Sequence, residues 1–186
     1  MTTDTSLKYA PTVSLVAADG RSVPLAELYR DRPLLLQFSR HLGCIFCVDH
    51  AKQLLKHYET LQKHGLDVAL VVMGGAEDAK KFREAFHLSF PVYGDPDQTV
   101  YRAFEVRRGN LWQIAGPQLW WAGLKALVRS GVAGRPRGDL MQLSGTYLID
   151  TDGRIAWSFR PPSSVEFPNI DDILFAADTL KPTVDA

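Results

Sequence analysis

PLLLQFS, residues 33–39, is an almost unbroken apolar run, and no other stretch limits the fold so strongly. A strand with one wet face alternates, whereas a continuous run is buried on both faces, inside a parallel or mixed sheet with layers on either side. A loop follows from Ser39 to Gly43. From Cys44 the spacing turns helical: Cys44, Cys47, Val48, Ala51, Leu54, Leu55, Tyr58 and Leu61 recur every three or four residues, and Gly65 is placed to cap the end. A core strand therefore feeds an amphipathic helix, and both cysteines of the chain fall in the first helical turn.

The flanking segments extend this into an α/β domain. Residues 12–27 read as a small hairpin about Asp19-Gly20, opening the fold at one sheet edge. DVALVVM, residues 67–73, is a second core strand, and a polar amphipathic helix covers roughly 77–86. A short strand at Phe90 to Tyr93 and a brief helix come next; GTYLID and RIAWSF close a hairpin about Asp152-Gly153, and NIDDILFAADTL forms the final helix. The expected fold is a central mixed sheet flanked by helices, with an N-terminal β-hairpin and a helical insertion at about 106–140. Within 106–138 there are six basic side chains, Arg107, Arg108, Lys125, Arg129, Arg135 and Arg137, and no acidic one, together with Trp112, Trp120 and Trp121. Pro117 and Gly131 bracket a helix there. It reads as a helix packed on the sheet or in a homodimer contact; a lid or docking surface for an anionic or membrane-associated partner is the other reading.

Composition sets bounds. The 186 residues suit one domain, residues 1–186, and 46% hydrophobic content supports a substantial core. Twenty-one basic and 21 acidic side chains cancel, so no overall field draws the chain to nucleic acid or to an anionic membrane. Neither a signal-like start nor 18 successive apolar residues is present, and membrane contact is not expected. The expected compartment is the cytoplasm, where two cysteines stay thiols except when they react.

The position of the cysteines carries chemistry. Unpaired N–H groups and the positive end of the helix dipole favour a thiolate in the first turn, and Arg40 and His41 are placed to add to this. Lowering a cysteine from a pKa of about 8.5 to about 7 raises its thiolate at neutral pH more than tenfold. Residues three apart in one turn are also within disulfide reach. On the helical wheel Cys47 lies in the apolar arc and Cys44 at its edge, so Cys44 is expected to be the accessible, attacking sulfur and Cys47 the resolving one. Ile45 and Phe46 would form an apolar rim. Arg40 has two readings, thiolate or anion support and an exposed ion pair. Arg160, after the last strand, is a further residue placed to approach the site.

Two other readings of the pair stand. His41, Cys44, Cys47 and His50 offer two imidazoles and two sulfurs to a metal, although four ligands within so short a stretch converge poorly and no metal is expected. The cysteines can also be small buried residues of a non-catalytic binding module. His50, His57 and His64, seven apart, read as boundary residues beside the apolar arc. No motif calls for an organic cofactor.

Taken as an ordered set, LLLQFSRHLGCIFC, GLDVALVVMGG, FPVYGDPDQTVYRAFEV and LSGTYLIDTDGRIAW resemble the alkyl hydroperoxide reductase and thiol-specific antioxidant family, in particular peroxiredoxin-like proteins related to selenoprotein U. The resemblance implies a thioredoxin-like fold and a thiol-dependent oxidoreductase cycling Cys44 and Cys47 between dithiol and disulfide. It also implies an oxidised small-molecule or protein-disulfide substrate and an external thiol reductant. Against the peroxiredoxin motif, Cys47 takes the peroxidatic cysteine position, Cys44 replaces a threonine and Arg40 a proline. Peroxidase activity would then start at Cys47, whereas thioredoxin chemistry starts at the first cysteine. QLSGTYLID lacks the proline that usually faces the disulfide in a thioredoxin-like fold, which separates this chain from thioredoxin itself.

Overall fold

The computed structural model describes residues 6–110 and 138–180. Seven strands form one mixed sheet: β1 (Ser14–Val16), β2 (Ser22–Pro24), β3 (Leu34–Phe38), β4 (Asp67–Val72), β5 (Val92–Gly94), β6 (Gly145–Ile149) and β7 (Ile155–Phe159), in the order β2-β1-β5-β4-β3-β6-β7. β3 pairs in parallel with β4 and antiparallel with β6, and all five of its residues are buried.

The side-chain period of two explains why PLLLQFS is apolar throughout. Leu35 faces one layer with Val68, Leu70, Val72, Leu148 and Trp157, against helices α2 (Ile45–Lys56), α3 (Tyr58–Lys63), α4 (Ala76–Ala85) and α6 (Ile170–Asp178). Leu34, Leu36 and Phe38 face the other layer with Ala69, Val71, Tyr147 and Ile149, against α1 (Leu25–Leu28) and α5 (Thr99–Ala103). Gln37, the polar member of β3, is also buried; its Nε2 donates to the Phe38 carbonyl at 2.9 Å and its Oε1 accepts from Thr146 Oγ1 at 2.6 Å.

The N-terminal hairpin forms, with β2 at the sheet edge and Gly20 in the left-handed region at φ +87°, but it ends at Pro24, and the last residues of the expected second run, from Leu25, enter helix α1 instead. Other boundaries also differ from the sequence reading. The long helix is divided at His57, whose N–H is shared between the Gln53 and Leu54 carbonyls at 3.2 Å each, so that α3 sets off separately. It ends at Gly65, φ +83°, where Gly65 N–H meets Gln62 O and Leu66 N–H meets Leu61 O, a Schellman closure. The strand expected at Phe90 to Tyr93 begins at Val92, because Pro91 has no N–H to give the ladder. Cys44 is the N-cap residue of α2 rather than part of its first turn, with extended backbone at φ −70°, ψ 112°.

Residues 111–137, which carry most of the expected helical insertion, lie outside the described residues. The two ends of that segment are joined. Arg108 bridges Gln142, Gly109 N–H donates to Met141 O at 2.7 Å, Leu143 N–H to Arg107 O at 3.0 Å, and Arg108 pairs with Asp139 at 2.8 Å. No described helix is long and apolar enough to cross a membrane.

Candidate redox site

β3 delivers the site. After Phe38 the chain leaves the sheet with Ser39 N–H still bonded to Val71 O at 2.9 Å, and residues 40–43 then turn into α2, Gly43 adopting φ +85°. Val48 N–H closes the first helical bond on the Cys44 carbonyl at 3.1 Å, which leaves Cys47 in the third helical position. The two cysteines are free thiols within 3.0 Å of each other.

Arg40 ties both sulfurs together. Its backbone N–H donates to Cys47 Sγ at 3.2 Å, and one guanidinium nitrogen lies 3.7 Å from Cys44 Sγ. Nε donates to Gln142 O at 3.0 Å and the other terminal nitrogen to Leu140 O at 3.2 Å, so the joined foot of the 106–140 segment holds the guanidinium in place. Arg40 is 3% exposed, and no carboxylate pairs with it among the described residues. Of its two sequence readings, the exposed ion pair is thereby ruled out. A buried cation without a carboxylate is costly unless another anion compensates it, and the nearest candidate is a Cys44 thiolate.

The electrostatics follow this arrangement. The Cys44 thiol is lowered to about 6, first by the hydrogen bond from the Cys47 thiol, then by the Arg40 charge and the Cys47 amide, with His41 contributing least; burial opposes them. Burial pushes Cys47 well up, and its neighbour Cys44 adds to this. The expected contrast in exposure is absent: Cys44 is 4% and Cys47 3% exposed. The helical wheel took no account of Arg40, which lies against Cys44 with its carbonyl anchors. The two sulfurs differ in charge environment instead. Ile45 and Phe46 are half-buried beside them.

The other singled-out residues are dispersed. His41 is half-buried with Nδ1 on the Leu42 carbonyl at 3.0 Å. His50 is a core residue rather than a boundary one: 2% exposed, it stacks on Phe167 with ring centroids 4.5 Å apart. Its Nε2 meets Gln37 Oε1 at 3.2 Å, and since that oxygen only accepts, Nε2 carries the proton. Burial lowers His50 to about 3, so the ring is neutral. Four-ligand convergence does not occur, and among the described residues no three His, Cys, Asp or Glu side chains gather to hold a metal. Arg160 bonds the Glu105 carbonyl at 3.0 Å and its carboxylate at 3.5 Å. Tyr101, which the sequence reading passed over, donates its hydroxyl to Ser39 O at 2.7 Å and to Val71 O at 3.0 Å beneath the site. The signal for it was a phenol on the buried face of a short helix, where a hydroxyl must find a partner.

A mixed sheet whose central strand opens into a helix start bearing two adjoining thiols is a thioredoxin-like architecture, and the pair is compatible with dithiol–disulfide redox chemistry. Residues 53–163 match the model of the AhpC/TSA antioxidant enzyme family, well over half of the chain. The chain belongs to that family. Because the match begins beyond Cys47, it is independent of the cysteine geometry. The chain is 30% identical over 98 residues to the thioredoxin-like protein AAED1, chloroplastic, of Arabidopsis thaliana, covering 53% of this chain but only 40% of that relative. It is 29% identical to the prostamide/prostaglandin F synthase of Salmo salar, over 92% of this chain and 88% of the relative. Among solved structures, the peroxidoxin BcpB of Mycobacterium tuberculosis has the same fold at a TM-score of 0.66 and 19% identity, over 94% of this chain and 99% of that one.

Proposed function

We propose that this peroxiredoxin-like protein carries out dithiol–disulfide exchange in the reducing cytoplasm, with Cys44 as the attacking thiolate and Cys47 as the resolving thiol. The observation that carries the reading is the buried Arg40 guanidinium, 3.7 Å from Cys44 Sγ and without a described carboxylate. It favours an anion at Cys44, while burial keeps Cys47 protonated until its turn comes.

With a disulfide R–S–S–R′, the Cys44 thiolate attacks one sulfur, the S–S bond breaks and R′S⁻ departs. Cys47 then attacks the Cys44 sulfur; RS⁻ leaves with the Cys47 proton, and the Cys44–Cys47 disulfide closes. With a hydroperoxide, the thiolate takes the terminal oxygen, the O–O bond breaks and the alkoxide leaves as the alcohol after protonation. The sulfenic acid condenses with Cys47 and releases water. Either route removes two electrons from the dithiol, and an external thiol reductant returns them by becoming a disulfide. Arg40 holds the first anion, and His41 is the weaker support beside it. A homodimer is the assembly this reading includes.

Stopped-flow reaction of the reduced protein with hydrogen peroxide, an organic hydroperoxide, an organic endoperoxide and a model disulfide tests the assignment. Cys44→Ser is expected to abolish the first step, and Cys47→Ser to allow one oxidation that stops at a mixed disulfide or sulfenic acid. A Cys44→Ser chain as fast as the parent, with Cys47→Ser inert, would reverse the roles. If mild oxidant links no Cys44–Cys47 bond, the protein is a binding module and not an enzyme of this kind.

A further inference from the structure

The Ser39–Arg40 peptide bond presents both of its polar ends to the interior. Its N–H, on Arg40, donates to Cys47 Sγ at 3.2 Å; its C=O, on Ser39, accepts the Tyr101 hydroxyl at 2.7 Å. A peptide is planar, so fixing the carbonyl fixes the direction of the N–H. Tyr101 is itself fixed. It is 1% exposed, its ring meets Phe38 edge-on at 5.0 Å, and its N–H, with those of Thr99 and Val100, bonds the buried Asp95 carboxylate at 2.8–3.0 Å. Burial keeps its phenol protonated and therefore a donor.

From this chain of contacts we infer that Tyr101 is a positioning residue for Cys47, holding the Ser39–Arg40 peptide so that its N–H meets the sulfur when that sulfur becomes anionic. A backbone donor aimed at a thiolate stabilises the charged form, and releasing the peptide withdraws that support. The inference rests on reading Cys47 as a redox sulfur, and it names what tunes that sulfur from the opposite sheet face.

The groups that bear on Cys47 are Cys44 at the start of α2, the Arg40 N–H and the Ser39 side chain after β3, and Tyr101 on α5; His41 bears on Cys44 instead. Replacing Cys44 by serine isolates the Cys47 titration, read as the pH midpoint of its alkylation by iodoacetamide. In that background Tyr101→Phe is expected to raise the midpoint by about one unit, or about tenfold less thiolate below it. Tyr147→Phe is the control. It removes the hydroxyl of a second buried tyrosine, bonded to Phe104 O at 2.6 Å, from a ring that also packs on Phe38, and is expected to leave the midpoint where it was. An unmoved midpoint in folded Tyr101→Phe, or an equal rise in Tyr147→Phe, overturns the inference. Should Tyr101→Phe fail to fold, carbon-13 labelling of the tyrosine rings in the Cys44→Ser chain decides the matter. The hydroxyl-bearing carbon of Tyr101 is expected to shift at the Cys47 midpoint and that of Tyr147 not to; a Tyr101 signal indifferent to Cys47 refutes it. None of these measurements needs a substrate, so a failure of disulfide closure in the parent would end the proposed cycle and leave this result readable.

Discussion

Replacing Arg40 by methionine removes the guanidinium while keeping an unbranched chain of similar reach. Two unit charges 3.7 Å apart attract by about 4 kcal/mol at an effective dielectric constant of about 20, which would move a thiol by about three pKa units. That is a ceiling, since the Cys47 thiol and amide continue to stabilise the Cys44 anion and water entering the vacated space solvates it. A rise of about one to two units is expected. Starting from a midpoint of about 6, Cys44 is about nine-tenths ionised at pH 7. After the substitution it would be between about half and one-tenth ionised, slowing alkylation at pH 7 about two- to tenfold. The assay is the pH profile of Cys44 alkylation by iodoacetamide in the reduced, otherwise parental chain with and without Arg40→Met, the Cys44 adduct being told from the Cys47 adduct by tandem mass spectrometry. Urea unfolding runs beside it, because leaving the Leu140 and Gln142 carbonyls unpaired costs about 1–3 kcal/mol each if water does not reach them. A folded Arg40→Met protein with the parental midpoint would refute the claim that this cation holds the Cys44 anion.

Further predictions concern stability. The folded state holds His50 neutral down to about pH 3, whereas the unfolded chain protonates it below about 6.5, so the unfolded state binds the extra proton between those values. Stability should therefore fall on acidification by up to about 1.4 kcal/mol per pH unit from this group, about 2 kcal/mol by pH 5, and urea titrations of His50→Phe should show a shallower slope over that range. Cys44 is an acid with a lowered folded pKa: its contribution to the reduced protein is fully present above about pH 9 and is lost as pH falls through about 6. The stability gap between parent and Cys44→Ser, measured in reductant, should widen between pH 6 and 9. Gly65→Ala puts a side chain at φ +83° in otherwise open space; a loss of about 1–2 kcal/mol is expected from backbone strain alone, and an unchanged urea midpoint would contradict the closure described for α3.

Local pattern made the framework readable. A five-residue strand buried on both faces, the hairpin at Gly20 and the helix start at the cysteines each announce themselves within a dozen residues. What decides the chemistry is not local. Nothing near Arg40 foretells burial, because its acceptors are carbonyls of Leu140 and Gln142, and carbonyls leave no mark in a sequence. Likewise His50 looked like a boundary residue because the wheel considers α2 alone; Phe167, from the segment before α6, and Gln37 of β3 enclose it. The helical wheel separated the cysteines by exposure, and the folded chain distinguishes them by the charges they meet.

The residues that restrain Arg40 come 100 and 102 positions after it. A ribosome adding about 5–20 amino acids per second needs about 5–20 s to reach them after Arg40 has been made. During that interval the nascent chain already carries both sulfurs but has no fixed cation beside them, and they behave as the ordinary, sluggish thiols of an unfinished polypeptide. On the proposed reading, the fixed cation beside Cys44 would therefore exist only once residues 140–142 have been made and folded.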